Sequence, residues 1–296
     1  MSIPQVHQPN TDVADPAIGP GQRKQRKGKV TPMSAAISQP DYFTKYENLH
    51  MERTASGVLT MRWHTNGGPL RFGRTIEDDL PRALADIGAD RDNRVLVITG
   101  TGDKFSDDVD EDSLGEVFKP AEWDTYYWAG RRLMQRLLEV EAPIVSAING
   151  TCHIHSEFAL AADIVIASDD ATFMDKTHMG YSIVPGDGTQ VVYEELLGLN
   201  RSRYFFLTQQ QLKVSEAEHL GLVNEVLPKD QVYPRAMEHA EKLATRPQLF
   251  LRYTTIALRQ RLLARVNEGT ALGMALEGLT AADMAYQGTA SLRLND

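Results

Sequence analysis

Three histidines of this 296-residue chain, His153, His155 and His178, fall between Pro143 and Gln190, together with two candidate acids, Glu157 and Asp187. His178 and Asp187 stand nine residues apart across YSIVPGDG, which reads as a short extended piece closed by a Pro-Gly turn. Such a turn folds the chain back and can bring a carboxylate to an imidazole. A carboxylate on one ring nitrogen fixes the tautomer and raises the basicity of the other. An exposed loop histidine and a turn aspartate would show the same spacing, so spacing alone leaves the pair open. His153 and His155 form an H-x-H pair just past Asn149-Gly150, and in extended chain such residues face the same way. With His178 they could ligate a metal, but the set lacks a familiar ligand spacing and no metal is expected. One of the pair could instead donate a hydrogen bond to a carbonyl oxygen.

Other chemistries find less support. No G-x-S-x-G elbow marks a serine hydrolase, and TGTGDKF lacks the Gly-Lys-Ser/Thr ending of a phosphate loop. The single cysteine, Cys152, rules out an internal disulfide and fits a reducing compartment. Beyond the nearby histidines nothing marks it as a nucleophile. A net charge of −9 argues against a nucleic-acid partner. That charge is uneven: residues 1–40 carry Arg23, Lys24, Arg26, Lys27 and Lys29 against Asp12 and Asp15, hence +3, and the remainder is −12. No apolar run approaches the roughly 20 residues of a membrane span, and no secretory signal opens the chain. A cytoplasmic protein without a membrane partner is expected.

The elements that must position these residues follow from periodicity. Residues 1–40, rich in Pro, Gly, Gln and Ser, read as a disordered basic tail. Residues 48–53 and 58–64 alternate around Ser56-Gly57 as a β-hairpin. Residues 75–90 carry a helical period interrupted by Pro81. Strands are expected at 95–99, 143–148, 163–167 and 222–226, with an acidic, irregular stretch at 107–118. Helices are expected at 123–140, 157–162, 189–197, 201–208 and 214–220, then at 231–245, 247–265 and 268–286. Alternating short strands and helices over 41–229, followed by a helical region over 230–296, make an α/β chain with an all-helical end.

Four stretches, RVLVITGTGDKFSDDVD, APIVSAINGTCHIHSEFALAADIVIAS, IVPGDGTQ and LGLVNEVLP, give the chain over about 45–290 a resemblance to the crotonase (enoyl-CoA hydratase/isomerase) superfamily. The resemblance implies a crotonase-like spiral of ββα units with a C-terminal helical region that drives assembly into homotrimers or dimers of trimers. The chain departs from the family where the family does its chemistry. FSDDVD puts Val109 where one oxyanion-hole amide is expected, and TCHIHSE replaces, one residue shorter, the glycine run that supplies the other. His178 sits where hydratases place an acid/base glutamate.

These departures resemble the β-diketone hydrolase branch typified by 6-oxocamphor hydrolase, which cleaves a carbon–carbon bond without CoA. That branch uses a histidine–aspartate dyad, a second histidine and a glutamate from the C-terminal helices. The matching positions are His178 with Asp187, His155 in HIHSE, and Glu277 in LGMALEGL. The implied chemistry is hydrolytic retro-Claisen cleavage of a cyclic or bicyclic β-diketone to a keto acid, with no cofactor. Asp187 would orient His178, His178 would take a proton from water, and His155 would donate to a carbonyl oxygen. Glu277 would position the water or contact the substrate. Phe72 and Trp128 are expected, by position, to wall an apolar pocket. Two alternatives stay open: a CoA-dependent hydratase or isomerase with an unusual site, and a catalytically silent oligomeric scaffold.

Overall fold

The alternating residues at the start of the folded chain pair as a hairpin, β1 (Leu49–Arg53) against β2 (Val58–Trp63), antiparallel with Met51 opposite Met61. Gly57 closes it at a φ of 89°, where a Cβ would meet the Asp92 carbonyl oxygen at 2.7 Å. The computed structural model describes residues 39–116 and 119–287, all in the unit 39–296. The basic stretch 23–29 and the expected tail, up to residue 38, lie outside the described residues, as do residues 288–296.

Next come β3 (Arg71–Phe72), α1 (Arg74–Ala89), β4 (Val95–Thr99), β5 (Lys104–Ser106) and β6 (Asp108–Val109). Pro81 does not interrupt α1. The buried face of Ile76, Leu80, Ala83, Leu84 and Ile87 carries the helix through the missing hydrogen bond. A 3₁₀ turn over Glu111–Ser113 leads to α2 (Pro120–Glu139), then β7 (Ile144–Ile148), β8 (Thr151–Cys152), α3 (Ser156–Leu160), β9 (Ile164–Ser168) and β10 (Thr172–Phe173). The chain continues through α4 (Thr177–Tyr181), α5 (Thr189–Leu197), α6 (Leu199–Leu207), β11 (Leu212–Lys213), α7 (Val214–His219), β12 (Glu225–Leu227), α8 (Lys229–Ala244) and α9 (Gln248–Tyr286).

Six strands form the main sheet in the order β1-β2-β4-β7-β9-β12, parallel except for the opening hairpin. Its central strands are apolar on both faces, as a covered parallel sheet requires. In β4 and β7, Leu96, Ile98, Ile144 and Ile148 join the large core. Val95, Val97, Val145 and Ala147 instead meet Val232, Ala236 and Ala240 of α8. A second sheet runs β11-β10-β8-β5, and β3 pairs with β6 in parallel, Phe72 opposite Val109.

Three expectations change. The stretch 181–188, expected extended, begins with Tyr181 as the last residue of the helical turn α4. The strand expected at 222–226 begins at Glu225, since Leu222 closes α7 by donating its N–H to the Ala217 carbonyl at 2.9 Å. The helices expected at 247–265 and 268–286 are one, because α9 runs on through Val266, which is buried, and Asn267, and Gly269, Gly273 and Gly278 let neighbours approach its backbone. Buried Arg259 anchors that helix, pairing with Asp163 and donating to the carbonyls of Val140 (2.7 Å) and Ala142 (3.2 Å). Among the described residues no helix is long and apolar enough to cross a membrane.

Candidate active site

The strand pair β3–β6 and the first turn of α1 make one wall of a pocket, presenting Phe72, Val109 and Glu77. Next to it lies the segment 153–157, which lines the pocket with Ile154 and His155. Its two histidines point to different places. His153 faces away from the pocket: Nδ1 meets Asp107 Oδ1 at 2.9 Å and Nε2 meets Thr172 Oγ1 at 2.9 Å. His155 takes a left-handed conformation, φ 49°, just before α3. That region favours glycine, so a bulky residue there costs on the order of 1 kcal/mol and marks a position held for another purpose. The turn breaks the expected same-face alternation and sends His155 into the pocket, its ring 4.4 Å from that of Phe72. The three histidines weighed as a metal set therefore do not converge.

His155 Nδ1 donates to Glu157 Oε1 at 2.8 Å and has Asp187 Oδ2 at 3.2 Å, while Nε2 stands 3.7 Å from Glu77 Oε2. Burial alone would lower this imidazole, but Glu157, with Asp187 and Glu77, overcomes it and pushes the ring up to about 10. The ring is a cation at neutral pH, with Nε2–H available as a donor on the side away from Glu157 and Asp187. One oxygen each of Glu157 and Asp187 lies with Nδ1 inside a 4.8 Å cluster. A cation there would have to displace the Nδ1 proton that Glu157 accepts.

His178 lies in α4 and is buried. Asp175, three residues earlier, accepts from its backbone N–H at 3.1 Å and from Nδ1 at 3.0 Å. The direct His178–Asp187 hydrogen bond expected from the sequence is not formed: Nε2 stands 3.7 Å from Asp187 Oδ2 and 3.6 Å from Glu277 Oε1. Orientation of the ring thus falls to Asp175, and Asp187 lies between the two imidazoles. Burial opposes charge on His178, yet Asp175, Asp187 and Glu277 outweigh it and hold the ring well above its ordinary value. Burial raises the Glu277 carboxyl, with His178 pulling the other way.

Backbone proximity delivers the last two acids. A Cβ on Gly186 would lie 2.3 Å from the Gly273 carbonyl oxygen, so the Pro-Gly-Asp-Gly turn rests directly on α9. That contact sets Asp187 beside His155, and Glu277, one helical turn beyond Gly273, beside His178. Trp123 Nε1 donates to the Met274 carbonyl at 3.1 Å and fixes α2 over the same stretch of α9.

The pocket has a cavity volume of about 110 Å³ and opens to solvent. Besides Phe72 and Val109, its apolar lining is Leu114, Trp123, Ile154, Ile183 and Met274. Tyr126 donates to the Leu114 carbonyl at 2.7 Å and Tyr181 to Glu111 Oε1 at 3.1 Å, which ties the 3₁₀ turn to the rim. Trp128 is not part of this wall. It is 43 % exposed on the outer face of α2 beneath Arg131 and Arg132, and Trp123 lines the pocket in its place. Cys152 is fully buried with its thiol pushed up by burial, which leaves it unreactive.

His155, His178, Asp187 and Glu277, which sequence pattern nominated, come together with Phe72. Sequence reasoning missed Asp175, Glu77, Trp123, Tyr126 and Tyr181. Only Asp175 carried a signal, the D-x-x-H spacing of an acid capping a histidine-bearing turn. Glu77 is one of several acids in TIEDD, and nothing in the letters says that it alone turns inward.

The sequence matches the family described as enoyl-CoA hydratase/isomerase over residues 57–285. Among curated proteins, a probable peroxisomal enoyl-CoA hydratase of Arabidopsis thaliana is 32 % identical over 211 residues, 69 % of this chain and 76 % of the relative. Among solved structures, a β-diketone hydrolase from the cyanobacterium Anabaena sp. PCC 7120, bound to (S)-3-oxocyclohexyl acetic acid, is 48 % identical. The alignment covers 84 % of this chain and 100 % of that one, with a TM-score of 0.83. An enoyl-CoA hydratase from Mycobacterium avium subsp. paratuberculosis K-10, at 19 % identity and a TM-score of 0.70 over 85 % of this chain and 100 % of its own, shares the fold.

Proposed function

The chain belongs to the enoyl-CoA hydratase/isomerase family of the crotonase superfamily, and from that premise we propose that it is a hydrolase opening a cyclic or bicyclic β-diketone at a carbon–carbon bond, without CoA, to give a keto acid. The observation that carries this reading is the meeting of His155, His178, Asp187 and Glu277 in one largely apolar pocket. The 48 % identical Anabaena β-diketone hydrolase supports it. A cyclohexanone bearing an acetic acid arm, as bound there, is the kind of product that ring opening of a bicyclic 1,3-diketone yields.

In this mechanism a water within reach of His178 Nε2, Asp187 and Glu277 attacks one carbonyl carbon. Its proton passes to the His178–Glu277 set. A proton shared by that set can rest on the imidazole or on the carboxyl, and the other member accepts the next one. Asp175 holds the His178 ring in place through Nδ1. His155, kept cationic by Glu157 and Asp187, donates through Nε2 to the carbonyl oxygen as it becomes an oxyanion. Preorganised donors of this kind contribute about 10²–10³-fold. Collapse of the tetrahedral intermediate breaks the carbon–carbon bond, and the second carbonyl stabilises the departing carbanion as an enolate.

The purified protein, in buffer with chelator and no CoA, should convert a bicyclic 1,3-diketone to a keto acid detectable by mass spectrometry. No turnover across a panel of such diketones, together with hydration of an enoyl-CoA, would install the CoA-dependent alternative that the Arabidopsis relative represents. The apolar side chains exposed on α9 (Leu249, Phe250, Tyr253, Leu258) and α6 (Tyr204, Leu207) suit burial in a homotrimer or dimer of trimers. Light scattering that returned a monomer would remove that assembly.

A further inference from the structure

Glu77 takes no part in the steps above, yet its side chain is enclosed in the pocket wall, 8 % exposed. Its Oε2 stands 3.7 Å from His155 Nε2, and among the described residues no lysine or arginine pairs with it. Arg74, on the same helix, is turned toward Asp78 and Thr125. The titratable groups facing Glu77 are His155, Asp187 from the 185–188 turn, Glu277 from α9, Asp78 from its own helix and Tyr126 from α2.

The two nitrogens of His155 divide the pocket. Nδ1 meets Glu157 and Asp187, and Asp187 in turn lies beside His178 Nε2. Nε2, at the far end of the ring, meets Glu77. One end of the site therefore holds the groups proposed above to take a proton from water, and the other holds an acid whose basic neighbour, among the described residues, is His155 alone. Burial pushes the Glu77 carboxyl up, His155 pulls it down, and Asp187, Glu277 and Asp78 push it up again, to about 7. A carboxyl of that kind keeps its proton near neutral pH and can still release it.

We propose that Glu77 is the general acid that protonates the enolate carbon released by carbon–carbon cleavage; the inference rests on the β-diketone hydrolase reading of this same pocket. Water adds its oxygen to one carbonyl carbon and gives a proton to the His178–Glu277 set. The carbon–carbon bond then breaks, and its electron pair becomes the enolate. The enolate carbon forms a C–H bond with the proton of Glu77, leaving a carboxylate next to cationic His155. When the keto acid leaves, the proton held by the His178–Glu277 set returns to Glu77 through solvent, and no oxidant or reductant is needed. Because Glu77 is fixed on one wall, the proton arrives on one face of the enolate.

The test compares wild type, Glu77→Gln and Glu77→Asp on a prochiral bicyclic 1,3-diketone, in H₂O across pH and in D₂O. Glutamine keeps the shape and removes the proton, so kcat should fall about 10²-fold or more, with aspartate recovering part of it. Wild-type kcat should decline as pH rises through about 7, where Glu77 ionises; the glutamine variant should lose that decline. Deuterium should enter one face of the new C–H centre in wild type and both faces in Glu77→Gln. A glutamine variant with wild-type kcat, pH profile and facial selectivity would overturn the role of Glu77 and leave the hydrolase reading standing. A folded wild type that turns over no diketone would overturn both.

Discussion

Two charge clusters, one half-buried and one buried, lie on either side of the segment 153–157, and they are built on opposite rules. In the first, Asp107 meets His153 at 2.9 Å, Lys176 at 3.2 Å and Lys104 at 3.2 Å, and His153 spends its second nitrogen on Thr172. One acid faces three basic side chains, and the Asp107 carboxyl is held far below the ordinary range by the His153 hydrogen bond, against burial and with help from Lys176. In the second, Glu77, Glu157, Asp175, Asp187 and Glu277 surround only His155 and His178. Asp175 Oδ2 and Glu277 Oε2 are left without a hydrogen-bond partner among the described residues. A satisfied cluster holds shape. A surplus of buried acid raises imidazoles and carboxyls together and leaves protons that can move near neutral pH. The clusters are coupled through the backbone, since the N–H groups of His153 and Ile154 share the Ser106 carbonyl and Lys176 N–H donates to His153. The first is the mount, and the second is where we propose the chemistry takes place.

The contrast can be broken from either side. The largest effect should come from His178→Ala, which removes the proton acceptor: kcat for diketone cleavage should fall about 10³-fold with the circular dichroism spectrum unchanged. Asp187→Asn should follow closely, because Asp187 serves both imidazoles; wild-type kcat in either variant would take the pair out of the mechanism. Asp107→Asn should do the reverse, lowering stability by roughly 1–2 kcal/mol, the loss of charge-assisted hydrogen bonds at a half-buried site, read as a Tm drop of a few degrees, while kcat per folded molecule stays within a few-fold. The sign of its pH dependence is fixed. The Asp107 carboxyl is depressed in the folded state, so its stabilisation is present above the ordinary aspartate value and is lost as pH falls below it. The Tm gap between wild type and Asp107→Asn should therefore close in acid. A gap that stayed constant down to pH 3 would show that the loss is one of packing and not of charge.

How much of this was legible beforehand differs by element. The hairpin and the central strands were, because period-2 alternation and doubly apolar runs encode burial directly. The continuity of α9 was not, since the periodicity left a gap at 266–267 that closes only where Val266 is seen buried in the core. His155, His178, Asp187 and Glu277 were legible through family pattern, and their roles within the site were only partly so. A separation of nine from His178 to Asp187 suggested a dyad, while a separation of three from Asp175 to His178, the shorter and helical spacing, makes the contact. Trp128 and Trp123 are five residues apart on one helix and fall on opposite sides of it, which aromatic content alone does not resolve.

By itself the sequence determined the α/β architecture, the family and the residue types of the site, because patterning and motif are local properties of the chain. Only the tertiary structure decided which histidine enters the pocket, which acid orients His178, and that Glu77 is enclosed with His155. Those outcomes depend on a left-handed turn at one residue and on backbones that touch at Gly186 and Gly273. They also depend on burial, which sets proton affinity through surroundings gathered from α1, α2, α3, α4 and α9, segments up to 200 residues apart from Glu77 to Glu277.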